Sequence, residues 1–333
     1  MKHPFNTGSE PAPATERSTN SLRGILLPFT TPFNRDEELD IEGLRANIRK
    51  WNAKGIIGYV ALGSTGERAH LDEREYLQVI SIAREEVPQN LAFIVGAGQQ
   101  STRGTIREIA KAATAGADAV LVITPHFYRA ALTQEALVIH YKAVADASRV
   151  PVILYSMPDL TGIKIEPETV AELSKHQNIL GIKDSSADTS ALEKTVRLVP
   201  EDFAVMTGNG TVLAPALSLG ARGGILAVGC VAAAACIEIY RLVRSGEASQ
   251  AAALQAKLSS LALAVTKRYG IGGLKAALNT VGFAGGVVRA PLKPASEEAQ
   301  REIASLLETV AHEEFTVAEG RTERDELVGV LKP

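Results

Sequence analysis

The nine residues "NILGIKDSS" (178–186) decide how this chain is read. Ile179 to Ile182 form an apolar run of the kind a covered strand presents, and the run stops abruptly at Lys183 and Asp184. A charge on the end of a buried strand is costly unless it is paired. Two readings account for it. In one, Lys183 pairs with Asp184 or reaches solvent. In the other it is kept from water for its chemistry, because a desolvated lysine gives up its proton readily and becomes a nucleophile. The rest of the chain has to separate them.

Seven more apolar runs flank this one: "GILLPFT" (24–30), "GYVALGS" (58–64), "AFIVGAG" (92–98), "AVLVITP" (119–125), "VPVILYS" (150–156), "FAVMTGN" (203–209) and "GGILAVG" (223–229). They are nearly continuous rather than alternating, the pattern of strands covered on both faces in a parallel sheet. Amphipathic stretches such as "DIEGLRANIRKWNAK" and "STRGTIREIAKAATAG" lie between them, and Gly55, Gly116 and Gly220 mark helix ends. Eight such units predict a closed α/β fold, a (β/α)8 TIM barrel over 23–230. Helical pattern alone follows, predicting a C-terminal helical extension over 231–311. Residues 1–22, rich in Pro, Ser, Thr and charge, are expected to be a disordered tail, and 312–333 an exposed one.

The 333 residues are 46% hydrophobic and only 5% aromatic, with a formal net charge of −3 and no basic stripe. That argues against a nucleic-acid surface and a polybasic membrane anchor. The longest apolar run, Gly223 to Cys236, is too short to span a bilayer. Cys230 and Cys236 match neither a zinc spacing nor a disulfide framework, so a reducing cytoplasm is the expected compartment. The N-terminal tail has no apolar core of a secretory signal. The six histidines show no HxH or HExxH spacing, and no metal is expected. "GAGQQS" (96–101) half-matches a dinucleotide loop, but Ser101 replaces its third glycine, and no cofactor is expected.

In a barrel of this kind the catalytic groups stand at the C-terminal ends of the strands. Those ends carry Thr30 and Thr31, "GSTGE" (63–67), "TPHFY" (124–128), "YSMP" (155–158), "KDSS" (183–186) and "TGNG" (207–210). Lys183 therefore falls on the rim. Its rivals do not: Lys164 sits between a turn and a helix entry, and Lys275 in "GLKAAL" lies on a helical pattern and reads as surface or interface. Tyr155 ends the preceding strand. Neighbouring strands lie about 4.8 Å apart, so a phenol at 155 reaches a lysine at 183 if both point inward, and a phenol there can shuttle protons to an imine. A core tyrosine bonded to backbone is the alternative. "GSTGE" can cradle a carboxylate with its amides and hydroxyls, or simply cap a helix.

Taken in order, "GSTGE", "TPHFY", "YSMPDLTG" and "GIKDS" resemble the dihydrodipicolinate synthase and N-acetylneuraminate lyase superfamily of Schiff-base aldolases, from about Gly24 to Leu307. The resemblance implies a homo-oligomer, usually a tetramer of two tight dimers, acting on pyruvate and an aldehyde. It makes Lys183 the Schiff-base lysine and Tyr155 the proton shuttle. Ser64 and Thr65 bind the pyruvate carboxylate, and Thr65 links Tyr155 to a tyrosine of a neighbouring subunit. That tyrosine is Tyr128, with Phe127 as the alternative occupant. Leu226 lines the pocket. Apart from the resemblance, Ser185 is expected with Ser64 or backbone amides to hold the carboxylate of an aldehyde as small as glyoxylate.

One position departs from the synthase pattern. Synthases carry an arginine directly before "TG", where this chain has Leu160, and a leucine offers a carboxylate nothing. Asp159 beside it adds negative charge near the rim. The stretches "TPHFYRAALTQEALVIHYKAVAD" and "AVTKRYGIGGLKAALNTVGFAGGVVRAPL" resemble instead the 4-hydroxy-2-oxoglutarate aldolase branch, which releases pyruvate and glyoxylate. Cleavage of 4-hydroxy-2-oxoglutarate is the activity expected. The alternatives are 4-hydroxy-tetrahydrodipicolinate synthase, condensing pyruvate with aspartate semialdehyde, and a non-catalytic barrel that binds a keto acid.

Overall fold

Each of the eight apolar runs forms a strand: β1 (Gly24–Pro28), β2 (Gly58–Ala61), β3 (Ala92–Ala97), β4 (Ala119–Ile123), β5 (Val152–Ser156), β6 (Ile179–Asp184), β7 (Ala204–Thr207) and β8 (Gly223–Ile225). They pair in chain order, all parallel, and β1 also pairs with β8, so the sheet closes into a barrel. The computed structural model describes residues 22–311, and the two expected tails lie outside them apart from Leu22.

The helices between the strands are α1 (Ile41–Trp51), α2 (Glu73–Glu86), α3 (Thr102–Thr114), α4 (Gln134–Ala147), α5 (Pro158–Thr161), α6 (Pro167–Leu173), α7 (Thr189–Leu198) and α8 (Leu213–Ser218). Of these, α1 to α4 and α7 start at a side-chain cap. The side chains of Asp40, Ser101 and Asp188 accept from the backbone N–H three residues on, and Asp72 and Glu75 form a reciprocal capping box before α2. Gly116 and Gly220 adopt φ of 102° and 103° beyond α3 and α8, a conformation that side chains resist.

After β8 come α9 (Ala233–Arg244), α10 (Ala248–Leu263), α11 (Gly270–Thr280) and α12 (Glu297–Ala311), with a π-helical turn, Ala264–Arg268, between α10 and α11. The first of these packs on β1 and beside α8. The outer ring thus takes its last helix from the stretch that the sequence assigns to the extension, and α10 to α12 lie beyond it.

Strand parity divides the core in two. Leu26, Val60, Ile94, Leu121, Ile153, Tyr155, Met206 and Ile225 share the cluster on the barrel axis. Their neighbours, such as Ile25, Leu27, Ala61, Val95, Leu154 and Ile182, belong to the layer between sheet and helices. Because Ile182 faces outward, alternation turns Lys183 toward the axis.

Candidate active site

Lys183 and Tyr155 are register partners on β6 and β5. Both are buried, at 5% and 4% exposure. The Lys183 ammonium lies 4.4 Å from the centre of the Tyr155 ring, and the phenol oxygen is 3.3 Å from the Ser64 hydroxyl. Burial pushes the Tyr155 hydroxyl up, but the charge of Lys183 and hydrogen bonds from Ser64, Ser185 and Lys183 outweigh it, and the group is held below the ordinary tyrosine range. An acidified phenol facing an amine is suited to passing a proton back and forth.

The rival lysines are committed elsewhere. Lys164 Nζ donates to Asp188 at 2.9 Å and lies 3.8 Å from Glu166. Lys275 corrects the expectation of a surface residue, since it is only 2% exposed. α11 buries residues on most of its faces, from Gly272 to Leu278, and leaves Lys275 no polar side to occupy. Its ammonium pairs with Glu67 at 2.5 Å and donates to the Val287 carbonyl. Burial pulls the Lys275 pKa down, and Glu67 pulls against that.

This pair holds the loop that supplies Ser64. The turn Ser64–Gly66 follows β2, and Glu67 closes it at φ 52°, in the left-handed region unusual for a glutamate. Three contacts fix it there. Thr31 donates to the Gly66 carbonyl at 2.7 Å, Lys275 pairs with one Glu67 oxygen, and the Arg289 backbone N–H reaches the other at 3.2 Å. Arg289 itself donates to Glu75 and to the Glu37 carbonyl. The "GSTGE" loop is therefore more than a helix cap. It places Ser64 against the phenol, with Thr65 8% exposed beside it.

Ser185 is buried one residue beyond β6, and its N–H bonds the Ser156 carbonyl at 3.0 Å. Opposite it lies Gly208, a residue that the sequence reading passes over. A β-carbon at 208 would overlap the Ser185 hydroxyl and sit 2.7 Å from Lys183 Cε. A glycine here is the space in which the lysine extends. Its only forewarning in the sequence is the pair of glycines in "TGNG".

Four expected positions stand apart from this cluster. Leu226 is fully buried and belongs to the layer between sheet and helices, because Ile225 takes the inward place on β8; the expectation that it lines the pocket is corrected. Leu160 is 61% exposed on α5. Phe127 and Tyr128 are 73% and 71% exposed, their rings edge to face at 5.0 Å, and neither is buried in this chain. Asp159 is charge-compensated, with Lys267 2.9 Å away. Two cavities elsewhere, about 340 Å³ beside Arg222 and about 450 Å³ between α8 and α10, contain no strand-end lysine with a phenol.

The model of the dihydrodipicolinate synthetase family matches residues 21–310, essentially the whole described chain. The chain belongs to that family. It is 35% identical over 289 residues to a 4-hydroxy-tetrahydrodipicolinate synthase of Methanospirillum hungatei JF-1, covering 86% of this chain and 98% of that one. A monomeric dihydrodipicolinate synthase variant superposes with a TM-score of 0.84 at 32% identity, over 88% of this chain and 98% of that one. An Escherichia coli K12 prophage protein of the dihydrodipicolinic acid synthase family, solved with pyruvate, gives 0.80 at 28% identity, covering 87% and 98%. The chain is thus a pyruvate-dependent Schiff-base aldolase of the dihydrodipicolinate synthetase family. Among the described residues no helix is long and apolar enough to cross a membrane.

Proposed function

We propose that this enzyme forms an enamine of pyruvate on Lys183 and joins it to an aldehyde, the synthase reaction with aspartate semialdehyde being the first reading. The names of the relatives support that choice over cleavage of 4-hydroxy-2-oxoglutarate. The observation that carries the chemistry is the buried, register-paired Lys183 and Tyr155.

The unprotonated Lys183 amine attacks the keto carbon, and Tyr155 returns a proton to the oxygen. Loss of water leaves an iminium, which acidifies C3; a base, Tyr155 or the released water, takes the C3 proton and the enamine remains. In the synthetic direction C3 adds to the aldehyde, whose oxygen takes a proton through Tyr155 or Ser64. In the cleavage direction the C4 hydroxyl loses its proton, the C3–C4 bond breaks, and its electrons are stored in the same enamine. Hydrolysis frees Lys183.

Leu160 favours the second reading, cleavage of 4-hydroxy-2-oxoglutarate to pyruvate and glyoxylate. An exposed leucine on the β5 turn gives no clamp for a distant carboxylate, whereas glyoxylate carries its carboxylate next to the reacting carbon, within range of Ser64 and Ser185. A second copy of the chain packed on the exposed Phe127–Tyr128 face would bring a phenol toward Thr65 and Tyr155.

Pyruvate with borohydride is expected to leave one adduct, mapped by mass to Lys183. An adduct on Lys164 or Lys275 instead would refute the assignment. Both reactions measured on one preparation rank the two readings. A higher kcat/KM for cleavage of 4-hydroxy-2-oxoglutarate than for condensation with aspartate semialdehyde makes the second the correct one.

A further inference from the structure

The turn after β5 carries no cation of its own, but the fold brings one to it from the rim of β7 and β8. Lys267 Nζ lies 2.9 Å from Asp159 Oδ2, and both side chains are about half exposed, at 55% and 49%. Lys267 belongs to the π-helical turn that continues α10. A π turn inside a helical run is rare and recurs at functional sites.

The end of α10 rests on the rim of β7 and β8. A β-carbon on Gly210, just past β7, would meet Val228, just past β8, at 2.7 Å and Ala262 at 3.1 Å. The π turn itself packs against the turn Ala227–Cys230. Asp159 follows β5. In the order β5-β6-β7-β8 the ion pair therefore joins rims on either side of β6, whose inward side chain is Lys183. Arg129 also approaches this turn, but from the β4 side, where its guanidinium lies 2.9 Å from the position of a β-carbon on Gly162.

We propose that Lys267 is the specificity residue for the second substrate. It would bind the carboxylate of an anionic aldehyde, or the distal carboxylate of a cleaved keto diacid, and Asp159 would hold it in place between turnovers. The inference rests on the reading that Lys183 carries the pyruvate enamine. An exposed pair of this kind is weakly held, and an ammonium has three donors to share. A substrate carboxylate can therefore displace or join Asp159 at little cost. The arrangement supplies the charge missing at Leu160 without an arginine on α5.

The test compares aspartate semialdehyde with an uncharged aldehyde, propanal, as acceptors of pyruvate. Lys267→Met is expected to raise KM for the anionic acceptor roughly 10- to 100-fold, the worth of one hydrogen bond to a charged group. Propanal should change less than twofold, and Lys267→Arg should recover most of the loss. Asp159→Asn should lower KM for the anionic acceptor. Equal loss for both aldehydes in Lys267→Met overturns the proposal, as does discrimination lost in Arg129→Gln but kept in Lys267→Met. Borohydride trapping of pyruvate is followed in the same preparations. Absence of the Lys183 adduct in the unmodified enzyme refutes the underlying reading, whereas an intact adduct with unaltered discrimination refutes Lys267 alone.

Discussion

Gly208→Ala adds one carbon to the enzyme and should disable it without unfolding it. The new β-carbon would stand 2.7 Å from Lys183 Cε and overlap the Ser185 hydroxyl. Carbon atoms prefer about 3.5–4.0 Å, so the lysine has to move by roughly 1 Å. What moves is the end of a flexible side chain, not backbone, and Gly208 has none of the positive φ values that penalise alanine. The stability cost should fall at or below the about 1–3 kcal/mol of an overpacked core. Function is less forgiving, because a misplacement of about 1 Å at a reacting atom can cost on the order of a hundredfold. The assay is the rate at which borohydride traps the pyruvate adduct, beside a denaturant titration. We expect about a hundredfold slower trapping with an unfolding midpoint close to that of the unmodified enzyme. Adding Ser185→Ala removes the hydroxyl overlap but leaves the contact with Cε, so the double variant should remain slow. A Gly208→Ala enzyme that traps pyruvate within twofold of the unmodified rate would refute this account of the space around Lys183.

Three further outcomes follow from the same geometry. Tyr155→Phe should lower turnover by roughly two to three orders of magnitude, the usual worth of a positioned acid–base group, and an unchanged rate would remove Tyr155 from the proton path. Glu67→Gln should cost about 3–5 kcal/mol, because it strands a buried Lys275. Glu67→Gln with Lys275→Met should regain much of that in urea unfolding but keep a raised KM for pyruvate, since nothing then ties the Ser64 loop to α11. Burial pulls the His140 pKa from 6.5 to about 4. The unfolded chain therefore takes up this proton before the folded one, and about 3 kcal/mol of stability should be lost as pH falls from 6.5 to 4. His140→Phe should flatten that acid limb of the unfolding midpoint, and an unaltered slope would show that other groups set it.

Strand pattern made the barrel legible, because each near-continuous apolar run could only be a doubly covered strand. It also placed Lys183 and Tyr155, whose chemistry depends on adjacency that strand order alone supplies. Leu226 was misplaced although the same parity rule applied, since an inward Ile225 turns its neighbour outward. Lys275 was hidden for a different reason. A lysine on a helix reads as solvated, and only the packing of α11 against the β2 loop reveals an acidic partner more than two hundred residues away in sequence. Gly208 leaves little trace in the sequence beyond the paired glycines of "TGNG", because its function is to be absent from a volume that two other residues fill. Lys267 and Asp159 were opaque likewise, and a charge two strands distant neutralises what reads locally as an acidic rim.

The two buried lysines show why burial by itself does not make a nucleophile. Lys275 and Lys183 are equally removed from water, at 2% and 5% exposure. Lys275 faces a carboxylate and a carbonyl that bind the ammonium, although burial still leaves its pKa below the ordinary lysine range. Lys183 faces the ring of Tyr155, whose hydroxyl is the only acid–base group its register partner offers. A carboxylate in that place would form a salt bridge and keep the amine charged. A phenol carries a proton that can be lent to the substrate oxygen and taken back. The same helical extension serves both lysines, since it supplies Lys275 to fix the loop bearing Ser64 and Lys267 to face the turn after β5. If Lys275 were the reactive amine, Glu67→Gln would speed adduct formation by releasing it. If Lys183 is, the same substitution slows adduct formation through the displaced Ser64, and the direction of that one rate change separates the two.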